Sequence, residues 1–496
     1  MKEIIKSRYS AFFFAGLFFQ LACAWFSIGY NHPDEHFQVL EFCNYKMGHT
    51  PLAHLPWEFN FKMRAAILPY TAYFFAKAMS SAGMYNPFVL AFLLRLFTAL
   101  ASWFITCKLC LLLLKNLQTK EAQRLLVLMS LFLWFIPYYA VRFSSENISG
   151  ILLLYGLYPL LATEEKNKNT IWTYLASGFL LGLSAFIRVQ TVFAIAGLVA
   201  WLLFIKKMEW RFLFYMALSA IVAIGFNILL DYGFYGEMVF TPFNNFYQNI
   251  ALHKSEDWGI FPWWFYVPEF IIKAIPPLSL LLLVMFVAGV YKNLRNPIIW
   301  IIVPVIVIHF LIPHKELRFL FPVIFLFIYI AALGFDYFLT RPFYIKIHKY
   351  IYTVSVIIVI PAFIYRTFTP GTVAVSYYKY LYDNISEKNT TIFSLRKEPD
   401  YMMAGLMSDF YRNPSLYPVI IDSVEQMSDY INANHLQSFL YFDKENLVFN
   451  YEIKGYRKER IYTLFPSWVL KFNINNWENR AQIWSIYRFS RDSVKI

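Results

Sequence analysis

Residues 1–35, MKEIIKSRYSAFFFAGLFFQLACAWFSIGYNHPDE, run from a basic end through an uncharged apolar stretch to an adjacent acid pair, Asp34-Glu35. The apolar stretch is roughly 19 residues, long for the core of a secretory signal, and no small-residue cleavage site follows it. It reads as a first membrane span with its basic end in the cytoplasm. That reading sets the parity of everything downstream.

The same texture continues along the chain. Of 496 residues, 59% are hydrophobic and 15% charged, against about 45–50% and about 25% in a soluble domain. Uncharged runs of roughly 18 residues or more can each cross a hydrocarbon core of about 30 Å as a helix. Spans are expected at 11–29, 87–114, 125–141, 147–163, 170–187, 190–205, 211–230, 266–291, 297–312, 319–338 and 350–365, about eleven helices of a polytopic α-helical membrane protein. The formal net charge of +13 would suggest nucleic acid in a soluble protein. Here Lys and Arg gather in short loops, so topology explains the charge and no nucleic-acid partner is expected. With the N-terminus inside, the inside loops are KNLQTKEAQR, EEKNKN, IKKMEWR, YKNLRN and RPFYIKIHK. This is the one-sided pattern of the positive-inside rule.

The other face carries longer segments. Residues 30–86 hold NHPDEHFQVLEF and the apolar AAILPYTAYFFAKAMSSAG. Counting the latter as a span would reverse every later loop, so an interfacial or re-entrant helix is expected there. Residues 231–265 are rich in Asn, Tyr and Trp, and a short outer loop holds PHKELR. From about residue 366 the composition turns polar, and YPVIIDSVEQMSDYINANHLQSFLYF reads strand, helix, strand. The expected division is a membrane domain, 1–365, and a small soluble α/β domain outside, 366–496. Cys23, Cys107 and Cys110 lie in apolar runs and Cys43 in an expected exposed loop, so no disulfide framework is implied.

Three groups of residues are suited to chemistry. Asp34-Glu35 at a membrane surface can serve as a general base or hold a metal, and a solvated pair of acids is the plain alternative. His314-Lys315-Glu316-Leu317-Arg318 packs charge between two apolar runs, where charge is costly, and its donors suit phosphate oxygens. The alternative there is a snorkelling loop. Arg142 and Arg188 stand at outer span ends, where basic residues are few; either can bind phosphate or pair with an acid. PWWFY at 262–266 can stack on a sugar or join an interfacial aromatic belt. GxSxG, P-loop and HExxH patterns and a paired CxxC array are absent from the sequence, which disfavours serine-hydrolase, nucleotide-driven and zinc chemistry.

HPDEHFQVLEF, PWEFNFKMRAAILP and, far downstream, HKELRFLFP together resemble glycosyltransferase family 22, the Alg9-like group that includes GPI mannosyltransferases. Asp231 with Tyr235-Gly236, Phe243-Asn244 and PWWFY add to the likeness. Two positions depart from it: Arg188-Val189-Gln190-Thr191 stands where the family often has Arg-Pro-Thr, and Phe261 where it often has His. The resemblance implies a GT-C fold and an inverting transfer of a sugar, mannose, from a polyprenyl or dolichyl phosphate to a lipid-linked glycan or glycolipid. It implies Asp34 as base and Glu35 as the residue that orients Asp34 or the acceptor. Donor phosphate would meet His314, Lys315, Arg318 and Arg188. Substrate contacts would come from His32, Glu41, Trp57, Arg64, Trp263, Trp264 and Tyr266. No metal and no cofactor are implied, and membrane lipids are the remaining partners. The site would face the periplasm in a bacterium or the ER lumen in a eukaryote. A GT-C enzyme for another lipid-phosphate sugar is the nearest alternative. A flippase for a lipid-linked saccharide is the alternative of another class.

The loop charges make a direct prediction. Engineered cysteines in 115–124, 206–210 and 292–296 should label only from the cytoplasm, and one near residue 400 only from outside. Labelling of the latter from the cytoplasm alone would overturn the topology.

Overall fold

The computed structural model describes residues 1–166, 170–395, 401–403, 406–443, 452–465, 467–479 and 485–492. Part of the EEKNKN loop and the labelling position near residue 400 lie outside these residues. Two compact units emerge: residues 1–27, 57–74 and 92–369 form one, and residues 28–56, 75–91 and 370–496 the other. This division differs from a single cut at residue 365, because residues 28–56 and 75–91 group with the C-terminal residues, while 57–74 belong to the first unit.

The first unit is helical. Among the described residues, Pro87–Asn116, Trp210–Tyr235 and Leu317–Phe338 are long and apolar enough to cross a membrane. Shorter apolar helices are Ser10–Phe26, Ile171–Ile187, Thr191–Phe204, Leu278–Lys292, Pro297–Leu311 and Tyr352–Phe368. Two expected spans are not continuous. The run 125–141 divides into Lys120–Phe132 and Ile136–Ala140, with Leu133 extended between them. Pro137 explains the break, since its ring would meet the carbonyl four residues back, that of Leu133, and it has no N–H to donate. The run 266–291 divides likewise into Tyr266–Lys273 and Leu278–Lys292, and Pro276-Pro277 removes two consecutive donors at the junction. Pro159, Pro304 and Pro361 stay inside helices, as membrane helices tolerate when neighbours satisfy the freed carbonyls.

Helix packing relies on small residues. Helices Leu278–Lys292 and Ile324–Phe338 approach so closely that a Cβ on Gly334 would lie 1.8 Å from the Met285 carbonyl oxygen. One on Gly289 would lie 2.1 Å from that of Ile330. Without a hydrophobic drive between helices in lipid, such close backbone contact is what binds them. The tight helical turn Leu317–Val323 precedes Ile324–Phe338 and carries Arg318.

In the second unit, β1 (Thr390–Leu395), β2 (Tyr401–Met403), β3 (Leu406–Met407), β4 (Leu416–Ile421), β5 (Ser438–Asp443), β6 (Tyr456–Thr463) and β7 (Ser485–Arg491) follow in chain order. Five make one sheet in the order β4-β1-β5-β7-β6, and β2 pairs with β3 apart from it. β1 runs parallel to β4 and β5, and β7 antiparallel to β5 and β6. The strand-helix-strand expected in YPVIIDSVEQMSDYINANHLQSFLYF is β4, helix Val424–Ala433 and β5. Ser423 starts that helix by accepting from the Gln426 N–H, and the Gln426 side chain accepts from the Asp422 N–H, a reciprocal cap. Phe439 and Phe489 oppose each other across β5 and β7, with rings stacked at 5.0 Å in the sheet's core.

Cys43, expected in an exposed loop, is buried together with Phe42. The segment around it is a helix, Glu41–Lys46, and its inner face is packed.

Gly334→Ala should destabilise the bundle. The added methyl meets backbone rather than a movable side chain, and overpacking of this kind costs about 1–3 kcal/mol. Thermal denaturation in detergent should show a lowered midpoint for this variant and little change for Gly225→Ala, where the space around an added Cβ is open.

Candidate functional site

The HPDE segment is a helix start. His32 is extended, as a residue before proline prefers, and Pro33 opens the helix Pro33–Glu35. Asp34 and Glu35 fall in its first turn, where the helix dipole favours carboxylates. The His32 Nδ1 accepts from the Asp34 N–H at 3.2 Å and lies 3.3 Å from Asp34 Oδ1. The Asn31 N–H donates to Glu35 Oε2 at 3.2 Å. The Asp34 side chain is partly exposed. A π-helical turn, His36–Leu40, follows and leads into Glu41–Lys46.

Glu41 is placed differently from a residue that meets substrate. It has no exposed surface. Oε1 lies 2.8 Å from His36 Nε2 and accepts from the Phe410 N–H at 2.9 Å, while Oε2 accepts from the Thr50 hydroxyl at 2.7 Å. The Ser408 hydroxyl is 2.8 Å from the same His36 nitrogen. The carboxylate thus joins the HPDE helix to residues 408–410 of its own unit. Beside it, His54 Nδ1 lies 2.7 Å from Asp409 Oδ2. Burial pushes the Asp409 carboxyl up from its ordinary value, and the His54 bond opposes the rise.

In the first unit the HKELR segment forms a dense cluster. Arg318 reaches Glu316 through Nε at 2.7 Å and Nη2 at 2.9 Å, and Glu146 Oε1 through Nη1 at 2.9 Å. Arg188 Nη2 lies 3.2 Å from the same Glu146 oxygen. Phe319 stacks under both guanidiniums, 5.4 Å from Arg188 and 5.3 Å from Arg318. His314 presents Nδ1 to the Gly259 carbonyl at 3.0 Å and Nε2 to Glu316 Oε1 at 3.2 Å. Acceptors at both ring nitrogens favour imidazolium, and the Glu316 bond first, then the Gly259 carbonyl, holds this histidine above its ordinary value against the pull of burial. Lys315 is buried, its Nζ bonded to the Ile312 carbonyl, and burial pushes it below the usual lysine value.

The structure therefore brings His314, Arg318 and Arg188 together and adds Glu146, which sequence reasoning passed over. The available signal was an acid at the start of an apolar run, between two unexplained arginines. Arg142 goes elsewhere: its Nη2 donates to the Ser27 carbonyl at 2.9 Å and its guanidinium packs on Tyr138 at 4.1 Å. PWWFY lies alongside the HKELR segment, through Phe261 N–H to the Pro313 carbonyl at 3.0 Å. Tyr266 is buried and stacked on Phe310, whereas Trp263 and Trp264 are 66% and 50% exposed. Trp57 and Arg64 belong to a different junction. Arg64 Nη2 is 3.4 Å from Glu58 Oε1, its carbonyl accepts from the Tyr235 hydroxyl at 2.7 Å, and Trp57 packs against Phe61. Asp231 secures that junction by accepting from the Ala66 N–H and the Thr241 hydroxyl, each at 2.7 Å.

In the first unit an apolar helical bundle gathers two arginines, a histidine and two carboxylates at helix ends. The sequence pattern of the Alg9-like mannosyltransferase family matches residues 11–417, and the chain belongs to that family. GPI mannosyltransferase 3 of Candida albicans is 27% identical over 67% of this chain and 65% of its own length. GPI alpha-1,2-mannosyltransferase 3 of Homo sapiens is 24% identical over 59% of this chain and 51% of its own. The matched region thus spans between about half and just under two thirds of these relatives. Among solved structures, ArnT from Cupriavidus metallidurans bound to undecaprenyl phosphate aligns over 97% of this chain and 98% of its own, with TM-score 0.56 and 10% identity. That likeness establishes the fold, a GT-C-type membrane architecture.

The His314 pair has a pH signature. A histidine whose folded value is raised contributes stability that is complete below its unfolded value, about 6.5, and lost as pH rises through the folded value. Thermal stability of the wild type should therefore decline from near-neutral toward alkaline pH by more than that of His314→Gln. Parallel pH profiles would disprove the pairing.

Proposed function

We propose that this chain is a lipid-phosphate-sugar-dependent mannosyltransferase. It moves mannose from a polyprenyl or dolichyl phosphate to a lipid-linked glycan or glycolipid, with inversion, on the outer face of its membrane. The observation that carries this reading is the gathering of Arg188, Arg318 and His314 around two carboxylates in the first unit. A membrane bundle buries guanidiniums where anions or backbone carbonyls meet them; here the partners are carboxylates, and the bidentate fork of Arg318 fits a phosphate as it fits a carboxylate. Family membership supplies the sugar. A relative from Arabidopsis thaliana bears a name that specifies Dol-P-Man as donor, and the same donor class is proposed here.

In this mechanism Asp34 accepts the proton of an acceptor hydroxyl as its oxygen attacks the anomeric carbon. The bond from that carbon to the phosphate oxygen breaks, and the electron pair leaves with the lipid phosphate. Arg318, Arg188 and His314 stabilise the charge that develops there, and Lys315 adds to the local positive field. Glu35 orients the HPDE turn. Trp263 and Trp264 offer exposed rings to a sugar or to the lipid interface. About eleven spans and an outer soluble domain over 366–496 remain part of the proposal, as do His32, Trp57 and Arg64 as substrate contacts. Glu41 is assigned to scaffolding instead, since its carboxylate is enclosed.

The test is transfer in proteoliposomes supplied with radiolabelled dolichyl or polyprenyl phosphate mannose, and with the glucose and arabinose analogues in parallel. Mannose transfer is expected. Transfer of another sugar alone would change the donor, and movement of intact lipid-linked saccharide without transfer would make the protein a flippase. Asp34→Asn should lower turnover by about 10²–10⁴-fold, the usual share of general-base catalysis, and leave donor binding in place. Glu35→Gln should cost less. If both variants keep wild-type turnover, the acid pair has no catalytic part.

A further inference from the structure

The two carboxylates around Arg318 occupy unlike positions. Glu146 is 3% exposed, and its single oxygen Oε1 stands between two guanidiniums, 3.2 Å from Arg188 Nη2 and 2.9 Å from Arg318 Nη1. Glu316 sits on another edge of Arg318, with its side chain 27% exposed. Its two oxygens take Nε at 2.7 Å and Nη2 at 2.9 Å, and Oε1 also lies 3.2 Å from His314 Nε2. Glu316 thus fills the forked, cationic seat that two oxygens of a phosphate would fill.

We propose that these carboxylates have opposite roles toward a lipid phosphate. Glu146 is a positioning residue that holds Arg188 and Arg318 side by side, and Glu316 is a built-in occupant that the phosphate displaces. This rests on the reading of the cluster as a phosphate site. Two guanidiniums in an apolar surround repel each other, and a carboxylate between them removes the cost of keeping them adjacent. Glu146 has a fixed place because the backbone sets it. It lies in the first turn of helix Ser145–Lys166, and Gly150 follows one turn later on the same face. A Cβ on Gly150 would lie 2.8 Å from Pro322 Cα and 3.0 Å from its carbonyl oxygen. The helix therefore meets the Leu317–Val323 turn at backbone distance, and that approach brings Glu146 to Arg318. Glu316 has no such enclosure. A phosphate carries more charge over three oxygens, so it can replace Glu316 at Arg318 and His314 while the released carboxylate turns to water.

The two roles predict effects of opposite sign. The measurement is retention of dolichyl phosphate and of undecaprenyl phosphate by the full chain in phosphatidylcholine nanodiscs, read by native mass spectrometry, with inorganic phosphate as competitor. Glu316→Gln, which removes the occupant's charge, should bind either lipid phosphate about tenfold more tightly. Glu146→Gln, and Gly150→Ala, which alters no charge, should each bind about tenfold more weakly, with Glu146→Asp nearer to wild type than Glu146→Gln. Binding by inorganic phosphate as strong as by the lipids would show that the seat reads the phosphate alone. Unchanged or weaker retention by Glu316→Gln overturns the occupant role, and unchanged or tighter retention by Glu146→Gln and Gly150→Ala overturns the positioning role. A wild type that retains lipid phosphate yet transfers no sugar would refute the transferase reading and leave this inference standing.

Discussion

A charge inside an apolar bundle has to meet an opposite charge or a backbone dipole, and the first unit is organised around that requirement. Water is unavailable to share the cost, so each buried ion becomes a joint between elements. Glu146 joins the helix it opens to both Arg188 and Arg318. Arg95 and Arg142 close the carbonyl end of the first long helix at Ala24 and Ser27, the end where the helix dipole favours cations. Asp336 accepts from the N–H groups of Gln118 and Thr119 and from the Thr119 hydroxyl, and so fixes the start of helix Lys120–Phe132. Asp231 does the same for the chain at Ala66 and Thr241.

The same physics separates open charge from enclosed charge. Within the second unit, Asp34 and Glu41 lie seven positions apart in one motif, yet their surroundings are opposite. Asp34 is partly open, in a first helical turn, with a histidine at its side. Glu41 is enclosed by His36, Thr50 and the Phe410 N–H. A base must reach solvent or substrate, whereas an enclosed carboxylate with three partners holds segments together. In the first unit, Glu316 and Glu146 repeat the contrast around one arginine.

Much of the architecture was legible in the residues themselves. Apolar runs without charge can only be satisfied as helices in lipid, and the long apolar runs of the first unit are helical. The HPDE and HKELR motifs were visible because charge in such surroundings stands out. Proline was also visible, and the breaks at Pro137 and at Pro276-Pro277 were open to a stricter reading, since hydropathy counts apolar residues and takes no account of a missing donor. The burial of Cys43 was not legible, because exposure depends on which elements close over the helix it occupies.

By itself, then, the sequence determined a multi-helix membrane protein, its polar segments, and the residue types able to handle a phosphate, all consequences of local composition and spacing. Tertiary structure alone decided the pairings. Glu146 meets Arg188 and Arg318 across 42 and 172 positions, as the numbering of Glu146, Arg188 and Arg318 gives, and its approach to Arg318 goes with the close backbone contact between Gly150 and Pro322. Contact between residues so distant in the chain follows from packing geometry, which no local pattern encodes.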